Sequence, residues 1–316
     1  DEWEQGELFA TDDIESAADE DGLGKEAGYS NAQAQLGRKT ANLRMKLNRN
    51  TNVVHCALAA ALLVLSACSA VSPSQASTTS GPRPTATQAA DQCAAVRRAV
   101  GFLAAQYDPT VQLLRESPVT APDKHWIATD NRLALAALRT AVPCAPDAKR
   151  LAAQVERGLA AHGSLRHGLI EAVTEGAAIT WPPRTASQAE IVAGVWHEER
   201  LTGDPMVDWR EYADLAFYGV MVLTQRGQDD EARILYRDTL ATFDRVGFVD
   251  RANGNRHPYA TYKLALALLA ASMLEESPDV AVLAALLDHQ APSGGFYALY
   301  ETEDVNDPNV ETTAYS

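Results

Sequence analysis

Apolar residues recur after residue 90 in two different ways, and the difference predicts an architecture. The stretches "RLALAALRTAV" (132–142), "LAFYGVMVL" (215–223) and "LALALLAASML" (264–274) are apolar nearly all round. In "DAKRLAAQVERGLAAH" (147–162), Leu151, Val155 and Leu159 instead form one stripe, with Lys149, Arg150, Glu156 and Arg157 elsewhere. "DDEARILYRDTLATFDR" (229–245) repeats this with Ala232, Leu235, Tyr236, Leu240 and Phe243, and "SPDVAVLAALLDHQ" (277–290) with Val280, Leu283 and Leu287. A helix apolar on every side must be covered on every side, whereas a striped helix turns one face to water. The alternation therefore predicts a mainly α fold, with an inner ring of helices backed by an outer one and successive helices paired as hairpins. Residues 165–202 interrupt the rhythm. "LIEAVTE" (169–175) and "EIVAGVW" (190–196) are β-branched and partly alternating, which predicts an inserted β-hairpin or small sheet between the second and third hairpins.

The region before residue 90 follows another pattern. From Met45, "MKLNRN" supplies a basic start through Lys46 and Arg49, and Val53 to Leu65 is a 13-residue apolar run broken only by His55. As a helix that run rises only about 20 Å, short of the roughly 30 Å of a hydrocarbon core. "SAVSPSQASTTSGPRPTATQAA" (69–90) then reads as a Ser/Thr/Pro-rich tether. Leu65-Ser66-Ala67-Cys68 resembles the lipobox of bacterial lipoproteins, whose cysteine is acylated and becomes the mature N-terminus. The resemblance implies a signal peptide over 45–67, lipidation at Cys68 and an anchor in the bilayer on the extracytoplasmic face of the cell envelope. The chain does not begin with Met, and residues 1–44 hold eleven acidic residues with little periodic apolar content. They read as a disordered acidic extension upstream of the natural start. The alternative is a genuine acidic tail ahead of an uncleaved anchor.

Charge narrows the partners. Residues 1–67 hold 11 of the 42 acidic and 6 of the 27 basic side chains, so the remainder carries 31 against 21, a net charge of about −10. Such a chain has no electrostatic reason to hold nucleic acid, nor a basic patch for anionic lipid, so attachment to a membrane falls to acyl chains. With Cys56 in the signal core and Cys68 at the lipobox, Cys93 and Cys144 remain as an even pair in an exported chain, where a disulfide persists. Residues 91–316 are enough for one substantial core.

What stands ahead of each inner helix is the richest chemistry in the chain. "HWIATDN" brings Trp126, Asp130 and Asn131; "DWREYAD" brings Trp209, Glu211, Tyr212 and Asp214. "NRHPYATYK" brings His257, Tyr259, Tyr262 and Lys263, and "DPNVETTAYS" opens a fourth inner helix with Asn309 and Glu311, whose remainder the chain does not supply. If the inner helices run in one direction, these starts gather at one mouth, with helix N–H groups and dipoles aimed into it. Aromatic rings beside carboxylates suit a sugar or small organic ligand. Asp130, Asp214 and Glu311 are the candidate catalytic carboxylates; the aromatic, Asn131 and Lys263 positions are candidate binding residues. Simpler roles compete at each place: helix-start acids for the carboxylates, loop staples for the tryptophans, core and rim for Tyr262 and Lys263. No G-x-S-x-G, P-loop, H-E-x-x-H or C-x-x-C occurs, and no cofactor or metal is expected.

"LLDHQAPSGGFYALY" (286–300) places an amphipathic helix ending in Gln290 before Gly294-Gly295-Phe296 and a new helix. This is similar to repeats of the α/α-toroid proteins: terpene cyclases, prenyltransferase β-subunits and, in architecture, the six-hairpin glycosidases. The resemblance implies a toroid over 91–316 and a cavity at its mouth, but the Asp-rich motif of the cyclases and the zinc ligands of the prenyltransferases are both absent. Three functions follow. The mouth is a hydrolase using two carboxylates or a lyase using Tyr259, Tyr262 or His257 as base. Otherwise it holds a glycan or peptide without turnover, or its rim only caps helices in an envelope protein.

Overall fold

The computed structural model describes residues 86–163, 168–184, 188–198, 203–252, 259–300 and 307–316. The signal segment, Cys68, the tether up to residue 85 and His257 lie outside the described residues. Within them, α1 spans Ala86–Gln106, α2 Asp130–Ala141, α3 Ala148–His162 and α4 Gly168–Thr174. The series continues with α5 at Ala213–Gln225, α6 at Asp229–Leu240, α7 at Thr261–Met273, α8 at Val280–Asp288 and α9 at Val310–Tyr315. No helix among the described residues is long and apolar enough to cross a membrane.

The two kinds of apolar pattern become two kinds of burial. On α5, Ala216 to Leu223 are all buried, and on α7 Lys263 to Ala267 are, so these helices are covered on most sides. On α3 only the stripe of Ala148, Leu151, Ala152, Val155, Gly158 and Leu159 is covered. The hairpins α2/α3, α5/α6 and α7/α8 each pack internally. Helix α2 also packs on α4, α4 on α5, α5 on α7, α7 on α9, and α9 on α2. Phe217 of α5 sits fully buried, edge-on to Phe248 at 5.0 Å between ring centres.

Two sequence expectations are corrected. "LIEAVTE" is not a strand: residues 168–174 form α4, with Ile170, Glu171, Ala172 and Val173 buried. The reason is tertiary. Arg132 of α2 pairs with Glu171 at 3.3 Å and with Glu175, while Gln225 of α5 donates to the Ala172 carbonyl at 2.9 Å. The β-branched residues thus pack between α2 and α5, and packing outweighs a weak strand propensity. On α8 the covered face is Val282 and Leu286, whereas Val280 is 81% and Leu287 37% exposed. Asp279 caps the helix by accepting from the amides of Ala281 and Val282, and the pair one turn apart, Val282 and Leu286, is the face that packs inward.

The inserted hairpin is present over β4 (Gln188–Val192) and β5 (Val195–Glu198). A third strand, β3 (His125–Trp126), pairs parallel with β5. Short pairs complete the rims: β1 (Tyr107–Asp108) with β2 (Leu113–Leu114), β6 (Tyr259–Ala260) with β8 (Leu299–Tyr300), and β7 (Phe296–Tyr297) with β9 (Pro308–Asn309).

Cys93 and Cys144 form a disulfide, tying α1 to the turn between α2 and α3. The Gln290–Phe296 segment reaches α1 from the far end of the sequence. Gln290 Nε2 donates to the carbonyls of Ala95 and Gly294, both at 2.9 Å, and Arg98 donates to Gln290. Gly294 has φ +96°, and a side chain there would lie 2.2 Å from the Arg98 carbonyl oxygen, so both its backbone and its space require glycine.

Candidate functional site

Three helix starts converge on one set of polar groups. Asp214 and Tyr218 lie four residues apart on α5, and Glu311 and Tyr315 four apart on α9, so each pair shares a helix face. Tyr262 comes from the first turn of α7, which packs on both α5 and α9. Its hydroxyl donates to Asp214 Oδ2 at 2.8 Å. The Tyr262 ring lies 6.0 Å from that of Tyr315, whose hydroxyl is bonded to that of Tyr218.

The electrostatics agree with this proximity. Desolvation of the hydroxyl pushes Tyr262 well above the usual phenol range, and the charges of Asp214 and Glu311 add to it. Tyr315 is raised well above its usual range by the same burial, with Tyr218 and Glu311 adding. Both phenols therefore remain protonated donors at neutral pH. Asp214, Tyr262, Glu311 and Tyr315 are half-buried, whereas Tyr218 is buried beneath them.

The helix starts are built so that these carboxylates are not needed as caps. Ahead of α5, it is Asp250, from the loop after α6, that accepts from the Ala213 amide at 2.9 Å. Asp214 is turned instead to α7. Ahead of α9, Asn309 caps by accepting from the Thr312 amide at 2.8 Å, and Thr313 Oγ1 accepts from the Phe296 amide at 2.9 Å. In "NVETT" the asparagine and the second threonine thus hold the backbone, and Glu311 is the half-buried carboxylate between them.

The remaining candidates have other surroundings. Asp130 is 3% exposed in the first turn of α2, the helix that packs on α9. Asn131 is fully buried. Its side chain accepts from the Leu114 amide at 2.7 Å and donates to the Leu114 and Trp126 carbonyls, clamping β2 and β3 over α2. Trp126 is buried beside Trp196 of β5, with Lys124 Nζ 4.2 Å above its ring. Trp209 lies edge-on to Trp181 and against Gly219 in the middle of α5, where an added Cβ would be 2.5 Å from the indole. Tyr212 is half-buried at the N-cap position of α5. Tyr259 is buried, donates to Asp244 and stacks on Tyr300, and Lys263 pairs with Asp250 at 2.6 Å. So Asp214, Tyr262 and Glu311 are brought together, while Asn131, Trp209, Tyr259 and Lys263 are engaged in holding loops and helix starts.

Sequence reasoning missed three positions. Tyr218 and Tyr315 sit inside apolar stretches, but the four-residue spacing from each carboxylate was a usable signal. Glu116 had none: its carbonyl accepts from the Val310 amide at 3.0 Å, which carries it to the first turn of α9. Asp307 secures that loop by accepting from Ser117 and, at 2.9 Å, from the Thr120 amide. Among the described residues no group of His, Cys, Asp and Glu is arranged to hold a metal ion. Two depressions of about 300 and about 280 Å³ lie away from this cluster, one between α1 and α3 by Tyr107 and Arg150, the other between α6 and Arg251. No protein-family model, no curated protein and no solved structure significantly matches this chain.

Proposed function

We propose that the helical domain is a toroid-type ring whose mouth hydrolyses a glycan, held at the outer face of the membrane by an acylated Cys68. The observation that carries the site is Tyr262, which comes from one inner helix and bonds Asp214 of a second, beside Glu311 of a third. The neighbour relations α2–α4–α5–α7–α9–α2 support the ring, since each helix of that series contacts the next and the last meets the first. Glycoside hydrolysis needs one carboxyl to protonate the leaving oxygen and one to act on the other face of the sugar, at roughly 5–10 Å from it. Asp214 and Glu311 are the pair, with Asp130 buried in the neighbouring helix start.

A hydrolase fits the surroundings better than a lyase. Elimination from a uronate needs a deprotonated base and a cation to neutralise the sugar carboxylate. Tyr262 is held protonated, and Lys263 next to it is paired with Asp250. A second reading, glycan binding without turnover, is favoured by the tyrosine rings beside the carboxylate.

Incubation with starch, mixed-linkage β-glucan, xylan, mannan and polygalacturonate separates these readings. We expect new reducing ends from at least one neutral polymer, abolished in Asp214→Asn and in Glu311→Gln. Thermal stabilisation by the polymer without new reducing ends supports binding alone. Unsaturated products from polygalacturonate support the lyase. Neither turnover nor stabilisation leaves an envelope protein with capped helices. Anchoring is tested separately: Cys68→Ala should lose labelling by a radioactive fatty acid, and retained label refutes the lipobox reading.

A further inference from the structure

Charges of both signs gather at a second place, outside the mouth. The spacing of Glu231, Ile234, Leu235 and Asp238 puts all four on one face of α6, where they line the depression of about 280 Å³. The two acidic positions stand about 10 Å apart along the helix, with the apolar pair between them. Ile234 is 62% exposed, so the floor between the carboxylates is apolar and open. Arg210 and Arg251 complete the lining. They come from segments that are bonded to each other, the Ala252 amide donating to the Glu211 carbonyl at 3.2 Å. Each guanidinium is held by a neutral group. Arg210 lies 4.9 Å over the centre of the Trp209 ring, and Arg251 donates to the backbone carbonyl of Asp238 at 3.1 Å. Glu231 accepts from the Gln228 amide at 3.0 Å. Among the described residues none of these four charged side chains forms an ion pair. Opposite charges that share a depression without pairing keep their hydrogen-bonding capacity for a ligand that carries both signs.

We propose that this depression is a binding site for a free basic α-amino acid of the lysine type. The ligand carboxylate is taken by the guanidiniums of Arg210 and Arg251, whose planar forks match it. Its α-ammonium is taken by Asp238, beside which Arg251 is already anchored. The methylene stem lies on Ile234 and Leu235, and the distal ammonium reaches Glu231 at the other end of the same face. A span of about 10 Å is within reach of an extended four-carbon chain with a hydrogen bond of about 3 Å at either end. The volume, at the small end for ligand sites, suits one amino acid and not a polymer. No residue of the mouth takes part, so the site stands or falls independently of glycan turnover.

Titration of the full chain with lysine and three analogues tests each contact separately, followed by calorimetry and by the backbone amide resonances of α6. Lysine should bind with a Kd of about 1 mM or tighter and shift the amides over 231–239. Norleucine lacks the distal ammonium, Nα-acetyllysine the charge on the other nitrogen, and lysinamide the carboxylate. Each should bind about tenfold or more weaker, the weight of one hydrogen bond between charged groups. Glu231→Gln should lower the affinity for lysine to that for norleucine and leave norleucine itself unchanged. Asp238→Asn should likewise make lysine and Nα-acetyllysine equal. Both side chains are exposed on the helix surface, so melting temperatures that match the unaltered chain confirm that only the contact was lost. Equal affinity of the unaltered chain for lysine and norleucine overturns the role of Glu231 and with it the basic class of ligand. Equal affinity for lysine and Nα-acetyllysine overturns the free amino acid in favour of a lysine within a peptide. No shift in α6 with any of the four probes, at ten times that concentration, overturns the site.

Discussion

Gly219 is the residue on which the packing of α5 turns. Its missing side chain admits the Trp209 indole, and an added Cβ would lie 2.5 Å from one ring carbon and 3.2 Å from Leu235. Gly219→Ala should therefore destabilise the domain by about 1–3 kcal/mol despite the better helix propensity of alanine, as urea unfolding will show. His125 offers a second test at this scale. It is 4% exposed, burial lowers its pKa below the usual 6.5, and Asp108, Arg115 and Asp123 are the charged groups around it. The unfolded chain then binds a proton that the folded one refuses. Stability is full above about pH 6.5 and is lost as pH falls from there toward the lowered folded value. His125→Gln should flatten that part of a plot of melting temperature against pH. The candidate site was partly legible for the same physical reason that makes these residues special. Asp214 and Tyr262 stand out as polar groups at the head of apolar helices, whereas Asn131 and Lys263 share that position and prove to be engaged by backbone and by Asp250. Sequence distinguishes a polar residue from an apolar neighbour, but not the partner it faces.

At the scale of elements, period and composition located α2, α3, α5, α6 and α7 because each buries a stripe or a whole surface through its own turns. Helix α4 escaped because seven residues hold too few turns to show a period, and its β-branched residues suggested a strand. Its helical state depends on contacts from α2 and α5. Removing one of them, in Arg132→Ala, should loosen α4 selectively, seen as faster amide hydrogen exchange over 168–174 than elsewhere in the domain. The disulfide works between elements rather than within one. Cys93 on α1 and Cys144 beyond α2 are 51 residues apart, and closing a loop of that size stabilises a fold by roughly 4 kcal/mol in the chain-entropy view. Cys93→Ser with Cys144→Ser should lower unfolding free energy by about 2–5 kcal/mol in guanidinium titration, without breaking the bond between Tyr262 and Asp214.

For the whole molecule, the clamp of Gln290 and Gly294 on α1 joins positions almost two hundred residues apart. Gln290→Ala should cost about 1–3 kcal/mol, because it removes the bonds to the Ala95 and Gly294 carbonyls that hold the late segment on α1, and should release α1 to limited proteolysis before the α5/α6 hairpin. The same clamp has a kinetic consequence. Ribosomes deliver a chain from its first residue onward, so α1 emerges long before Gln290. Until then Phe102, which Gly295 later covers, has only part of its final surroundings. Contacts of such long sequence separation form late, after their loop-closure entropy has been met. The early helix must therefore wait, exposed, for the last quarter of the chain. Folding intermediates should be recognisable by an α1 still open to protease while the α2/α3 and α5/α6 hairpins already resist it.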